Sequence, residues 1–121
     1  MCMLTTSFTI LLLAAQVAEA APLTCGTWSV VPSPSAGQGG NDLFGVATVS
    51  ASDIWAVGQY TVCCYSARML IEHWNGSNWQ IVKSPNVGRN SSELRGVAVV
   101  SANNIWAVGT NYDQTLTEFY C

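Results

Sequence analysis

Apolar residues in this chain come in short runs that follow no single alternation. Gly45-Val-Ala-Thr-Val49 and Ile54-Trp-Ala-Val57 are apolar at odd and even positions alike. A strand with one wet face alternates apolar and polar side chains, because neighbours point to opposite faces. These runs therefore predict strands in a sheet covered on both faces. After the first 20 residues no apolar spacing fits a helix. Four strands are expected in succession, at about Phe44–Ser50, Ile54–Tyr60, Met69–Trp74 and Trp79–Lys83. Ala51-Ser52-Asp53 turns the chain between the first two. Asn75-Gly76 predicts a tight hairpin with two positive-φ residues. Pro85 has no amide hydrogen and closes the fourth strand.

The pattern then returns. Residues 28–58 align with residues 79–109 at a constant offset of 51, without a gap and with 17 identities in 31 positions. Such a period marks units that cannot bury their own apolar faces and must stack on neighbours. Four-stranded sheets stacked around an axis satisfy that need, with small residues such as Gly45, Ala47, Ala56 and Gly58 where the sheets crowd. The expected fold is all-β: an incomplete β-propeller of about two blades of four-stranded antiparallel sheet, after an N-terminal signal helix. Residues 43–85 form one blade and 94–121 a truncated second, within a repeat domain spanning 21–121. Residues 28–33 are expected as a fourth strand whose first three are missing. A ring needs at least about four blades, so the chain reads as a fragment of a longer protein, or as a short chain that self-associates through incomplete blades.

Residues 1–20 read as a signal peptide: Phe8–Ala15 is a short apolar run and Ala18-Glu-Ala20 fits a small-residue cleavage site. Met1–Ser7 carries no Lys or Arg, which departs from that pattern. The run is too short for a stable membrane span, so the expected location is extracellular or at the cell surface. The other 101 residues hold four basic and six acidic side chains, with no basic cluster. Nucleic acid is not an expected partner. Cys25, Cys63, Cys64 and Cys121 are candidate disulfide cysteines, in an order that sequence leaves open. Joining the adjacent Cys63 and Cys64 to Cys25 and Cys121 is the simpler expectation. Zinc would need ligands beside the only histidine, His73, and none is near in sequence.

Leu-x-Gly-Val-Ala-x-Val-Ser-Ala-x-x-Ile-Trp-Ala-Val-Gly occurs at 43–58 and 94–109, and Leu70-Ile-Glu-His-Trp-Asn-Gly76, Trp79 and Ser84-Pro-Asn86 follow the first copy. This phrase resembles the tandem repeats of large predicted exported bacterial proteins. The resemblance covers 28–120 and implies a β-propeller similar in architecture to kelch and galactose-oxidase central domains. The Tyr/His/Cys copper set of the oxidases is missing, so their redox activity is not implied, and no cofactor is expected.

Recurrence helps separate packing from chemistry. Trp28 matches Trp79, Trp55 matches Trp106 and Trp74 matches Tyr120, which suits core positions more than a ligand site. Glu72 recurs as Glu118, which suits a structural acceptor, whereas His73 becomes Phe119. Adjacent on a strand, Glu72 and His73 face opposite sides and do not act on one substrate. Asp53 recurs as Asn104, which suits a turn cap; calcium would need more converging oxygens. Ala36-Gly-Gln-Gly-Gly40 lacks the Lys-Ser/Thr of a phosphate loop and reads as a connection. Asn75-Gly-Ser77 and Asn90-Ser-Ser92 match a glycosylation sequon.

The two copies differ most between Gly58 and Glu72, which holds five residues more than Gly109 to Glu118. Binding residues favour such variable loops. Tyr60, Tyr65 and Arg68 are therefore the candidate ligand contacts. The leading expectation is an exported binding or scaffolding module for a glycan or protein. No catalytic or metal residue is nominated. The alternatives are part of a propeller enzyme, such as a glycan hydrolase or lyase with its catalytic residues on other blades, and a structural surface-assembly component.

Overall fold

The computed structural model describes residues 26–85, 87 and 91–121. The expected leader at 1–20, Cys25 and Asn90 lie outside them. The fold is all-β. Strands β1 (Asn41–Ser50), β2 (Asp53–Thr61), β3 (Ala67–Trp74) and β4 (Trp79–Ile81) form a four-stranded antiparallel sheet in chain order. Strands β5 (Ser92–Ser101), β6 (Asn104–Asn111) and β7 (Gln114–Tyr120) form a second, three-stranded antiparallel sheet. One 3-10 turn, Cys63–Tyr65, lies in the β2–β3 connection.

The second sheet reproduces the pairing of the first. Leu43 faces Gly58 and Leu94 faces Gly109; Ala56 faces Glu72 and Ala107 faces Glu118. Both sheets carry a bulge at the same place, leaving Phe44 and Arg95 as the extra residues. A side chain opposite each bulge has no room. A Cβ on Gly58 would fall 1.8 Å from the Asp42 carbonyl oxygen, and one on Gly109 would fall 1.9 Å from that of Glu93. The two bulges meet across the sheets, with the Arg95 guanidinium 5.3 Å from the centre of the Phe44 ring.

The sheets stack face to face. Val57 and Met69 from the first sheet and Leu94 and Ala107 from the second form one buried cluster, flanked by Ile71, Val87, Val97 and Leu116. At one end Trp55 meets Tyr120, ring centres 4.7 Å apart. Strands β1 and β5 approach closely because glycines face each other: a Cβ on Gly45 would lie 3.3 Å from Gly96 Cα. Equivalent residues consequently differ in cover. Trp55 and Val57 are 5% and 1% exposed beneath the second sheet, whereas Trp106 and Val108 are 46% and 49% exposed on its outer face. The expectation that the Trp residues are core positions fails for Trp28, which is fully exposed, and for Trp106, because no described element covers its face.

Three other expectations are corrected. Residues 28–33 form no strand, and Trp28 and Val30 are fully exposed. β4, which repeats their sequence, is held by β3; no described strand stands beside 28–33 to exchange hydrogen bonds. The β3–β4 connection is not a two-residue hairpin. It has four residues, only Gly76 has positive φ, and the Asn75 side-chain oxygen accepts from the Ser77 and Asn78 amides at 3.0 Å. Lastly, Cys63, Cys64 and Cys121 are exposed free thiols. The register explains why the 63–64 pair does not reach Cys121. It lies in the β2–β3 connection, whereas Cys121 follows the far end of β7, the counterpart of β3. Those ends are a strand length apart, roughly 20 Å, and a disulfide needs Cα atoms within about 7 Å.

Gly58→Ala is expected to cost about 3 kcal/mol or more, because backbone blocks the new methyl group. Gly96→Ala is expected to cost far less, since the nearest obstacle is a Val108 methyl group at 3.3 Å that can yield. Urea unfolding of the two variants checks this; equal losses would remove the bulge argument.

Candidate functional site

The β2–β3 connection is the longer of the two equivalent loops. Thr61 faces Ala67 at its base, and the Val62 amide donates to the Ser66 carbonyl at 2.8 Å. Cys64 and Tyr65 both take left-handed backbone, with φ of 64° and 62°. That conformation is costly for large side chains and turns Tyr65 fully into solvent. The β6–β7 connection is only Tyr112-Asp113, and Tyr112 is also left-handed, with φ of 60°.

Between the loops lies a cleft of about 370 Å³. Tyr65 and Tyr112 line it with Gln59, Thr61, Glu93 and Thr110. Its base is tied across the sheets by Ser91. The Ser91 hydroxyl accepts from the Ala67 amide at 3.1 Å, and its carbonyl accepts from the Tyr112 amide at 2.7 Å. Glu93 accepts from Arg95 Nε at 2.7 Å through Oε1, which also takes the Thr110 hydroxyl at 3.5 Å. The cleft therefore offers aromatic surface, hydroxyls, an amide and a carboxylate, a set suited to a polar ligand.

Of the three candidate contact residues, only Tyr65 lines this cleft. Tyr60 and Arg68 face each other across β2 and β3 instead. A Cβ on Gly37 would lie 2.9 Å from the Tyr60 ring, so that ring packs against the connection preceding β1. Tyr112 and Ser91 were not singled out from the sequence. Tyr112 had a usable signal, since it occupies the corresponding loop of the second copy. Ser91 had none, because its role is to join two loops that only stacking brings together.

A second space of about 350 Å³ lies between the sheets and is lined by Trp55, Val57, Ile71, Leu116 and Glu118 among others. Glu118 is anchored there by the Ser84 hydroxyl, which donates to its oxygens at 2.9 and 3.1 Å. Glu72, its counterpart on β3, is 1% exposed, and its Oε2 has no hydrogen-bond partner among the described residues. Burial raises the pKa of both carboxyls; in Glu118 the Ser84 hydrogen bond opposes the rise. Near the strand ends, Asp53 Oδ1 is 2.9 Å from both Trp55 Nε1 and His73 Nε2, and the His73 ring lies 4.4 Å from that of Trp55. The second sheet keeps the Asn104–Trp106 bond at 2.9 Å but has Phe119 in place of the histidine. Asp53 thus anchors the Trp55 and His73 side chains.

Among the described residues no three His, Cys, Asp or Glu side chains come together in a metal-binding arrangement. No described helix is long and apolar enough to cross a membrane. In comparisons with known proteins, no family model, curated protein or solved structure matches the chain.

Glu72 gives a pH test with a defined sign. Its folded-state pKa is raised, so the stability of the protonated form is complete below the unfolded carboxylate pKa. It is lost as pH rises through the folded value. Glu72→Gln is therefore expected to reduce the fall in melting temperature between about pH 4 and about pH 7. Parallel pH profiles for wild type and variant would refute the burial effect.

Proposed function

We propose that this chain is an exported β-propeller repeat module with a binding or scaffolding role, and that its ligand is a glycan or protein segment held between Tyr65 and Tyr112. The observation that carries the binding reading is the polar cleft itself. Two exposed tyrosines line it, on loops that differ between the copies, and Ser91 fixes its base to both sheets. Rings of this kind supply broad apolar contact at low entropic cost while their hydroxyls remain available for hydrogen bonds. Glu93 and Thr110 add groups that suit sugar hydroxyls or peptide amides.

The propeller reading is supported by two sheets of equivalent register stacked at a 51-residue spacing. Export is supported by the leader-like sequence at 1–20.

A glycan array and a pull-down with wild-type protein test the binding role. Tyr65→Ala and Tyr112→Ala are each expected to weaken the captured ligand about tenfold, or about 1.4 kcal/mol. Tyr60→Ala and Arg68→Ala should change it less, because neither residue lines the cleft. Undiminished capture by the Tyr65→Ala/Tyr112→Ala double variant, or no capture by wild type, would discard this reading.

A further inference from the structure

The charge inside the Tyr65–Tyr112 cleft is balanced by the protein itself. Among the described residues Glu93 is the one carboxylate that lines the cleft, and no Lys or Arg lines it. Arg95 holds Glu93 from outside the lining. Its Nε and its Nη2 each stand 2.7 Å from Glu93 Oε1. The Thr110 hydroxyl reaches the same oxygen at 3.5 Å. Glu93 Oε2 takes no partner among the described residues. The ion pair on one oxygen thus fixes the carboxylate and offsets its charge, while the other oxygen remains an acceptor. The rest of the lining offers hydroxyls, phenol rings and the Gln59 amide.

Main-chain groups here are engaged within the protein. Gln59 and Thr61 belong to β2, which has a paired strand on each side, and Thr110 belongs to β6, which also has two. In the loops, the Val62 amide donates to the Ser66 carbonyl, the Ala67 amide to the Ser91 hydroxyl and the Tyr112 amide to the Ser91 carbonyl. An extended peptide gains affinity by adding to free main chain at a sheet edge, and these groups do not supply one.

The backbone of the two loops adds a second observation. Among the described residues, the non-glycine positions with positive φ are Cys64, Tyr65 and Tyr112. All three stand in the loops that wall this cleft. Such conformations are costly and persist where the surrounding structure imposes them. They set the direction of both tyrosines before a ligand arrives, which lowers the ordering cost of binding.

We propose that the cleft takes a short, uncharged oligosaccharide, whose rings stack on Tyr65 and Tyr112 and one of whose hydroxyls donates to Glu93 Oε2. This rests on the binding role proposed above and narrows it from glycan or protein to uncharged glycan. A sugar ring has apolar C–H faces and a rim of hydroxyls. It therefore matches phenol rings flanked by hydroxyls and a single fixed acceptor. The volume of about 370 Å³ lies near the lower end of the range for small-ligand sites, roughly 300–1,000 Å³. A sulfated or uronate sugar would meet Glu93 without a cation in the lining to receive it. A cationic sugar would find the Glu93 charge already paired. Arg95 is thus a positioning residue: it acts on the ligand through Glu93 and sets the preference for an uncharged one.

Arrays of uncharged, sulfated, uronate and quaternary-ammonium oligosaccharides, alongside synthetic peptides, test the class. Wild type is expected to retain uncharged oligosaccharides at least about tenfold more tightly than charged ones. Glu93→Gln keeps an acceptor but removes its charge, and is expected to weaken that retention about fivefold. Arg95→Gln leaves the Glu93 charge uncompensated, so retention of the cationic oligosaccharides should rise about tenfold relative to the uncharged ones. A residue with only a packing role would change both classes alike. The wild-type selectivity needs no variant, so the class is tested even where a variant does not fold. Retention of peptides but of no uncharged oligosaccharide, or a preference for charged sugars, would overturn this inference and leave the binding role standing. Retention of nothing by wild type would overturn both. An equal change in both sugar classes with Arg95→Gln would overturn the part given to Arg95.

Discussion

The structure depends on covering sheets that are apolar on both faces. Trp55, Ala56 and Val57 follow one another in β2 and all three are buried, so one covered face would leave large apolar surface in water. Burial stabilises roughly in proportion to the apolar area removed from water. Stacking the second sheet on the first supplies that cover for one face and creates the Val57–Met69–Leu94–Ala107 cluster. Leu94 is fully buried there. The close approach of β1 and β5 at Gly45 and Gly96 lets the side chains around them interlock. The Tyr65–Tyr112 cleft follows from the same stacking, since its two walls belong to different sheets.

Equivalent positions show how far local sequence sets the environment. Trp55 and Trp106 have the same strand position, an alanine opposite on the preceding strand (Ala47 and Ala98) and the same indole hydrogen bond to a residue two positions earlier. They differ in burial because one faces the second sheet and the other faces outward. The Asp53–His73 contact shows the reverse dependence. Asp at the turn gives a histidine a charged partner, whereas Asn at the same turn accompanies Phe119. The difference between the copies is chemical even though the backbone is shared.

Glu72 and Glu118 extend the comparison to a buried polar group. Both stand opposite an alanine of the central strand, and burial raises the pKa of each carboxyl. A buried acceptor without a donor is costly, whereas a hydroxyl donor offsets much of that cost. Glu118 has Ser84 as its donor because the chain passes from β4 into β5 beside it. Whether a repeated carboxylate is satisfied thus depends on where the preceding strand has been placed.

The strands were legible because each apolar run is bounded by turn residues and because the period repeats every register detail. Of the four strands expected in the first copy, three match β1, β2 and β3 to within three residues at either end, and β4 ends two residues early, at Ile81. The failures have distinct physical origins. Residues 28–33 carry the sequence of β4 but need an adjacent strand before they can become one. At the Asn75 connection the side chain, not a second positive φ, satisfies the turn amides. The 63–64 pair and Cys121 were joined on count alone, and the strand direction separates them. At the site, loop length pointed to Tyr65, while Tyr60 and Arg68 were paired across strands, and Tyr112 and Ser91 became visible only with both sheets in place. Sequence alone determined the strand runs from Asn41 onward and their chain order, because these follow from apolar runs bounded by turn residues within about ten residues. Tertiary structure decided which faces are covered, which carboxylate finds a donor and which tyrosines share a cleft, because those properties arise between sheets and no local pattern encodes the partner.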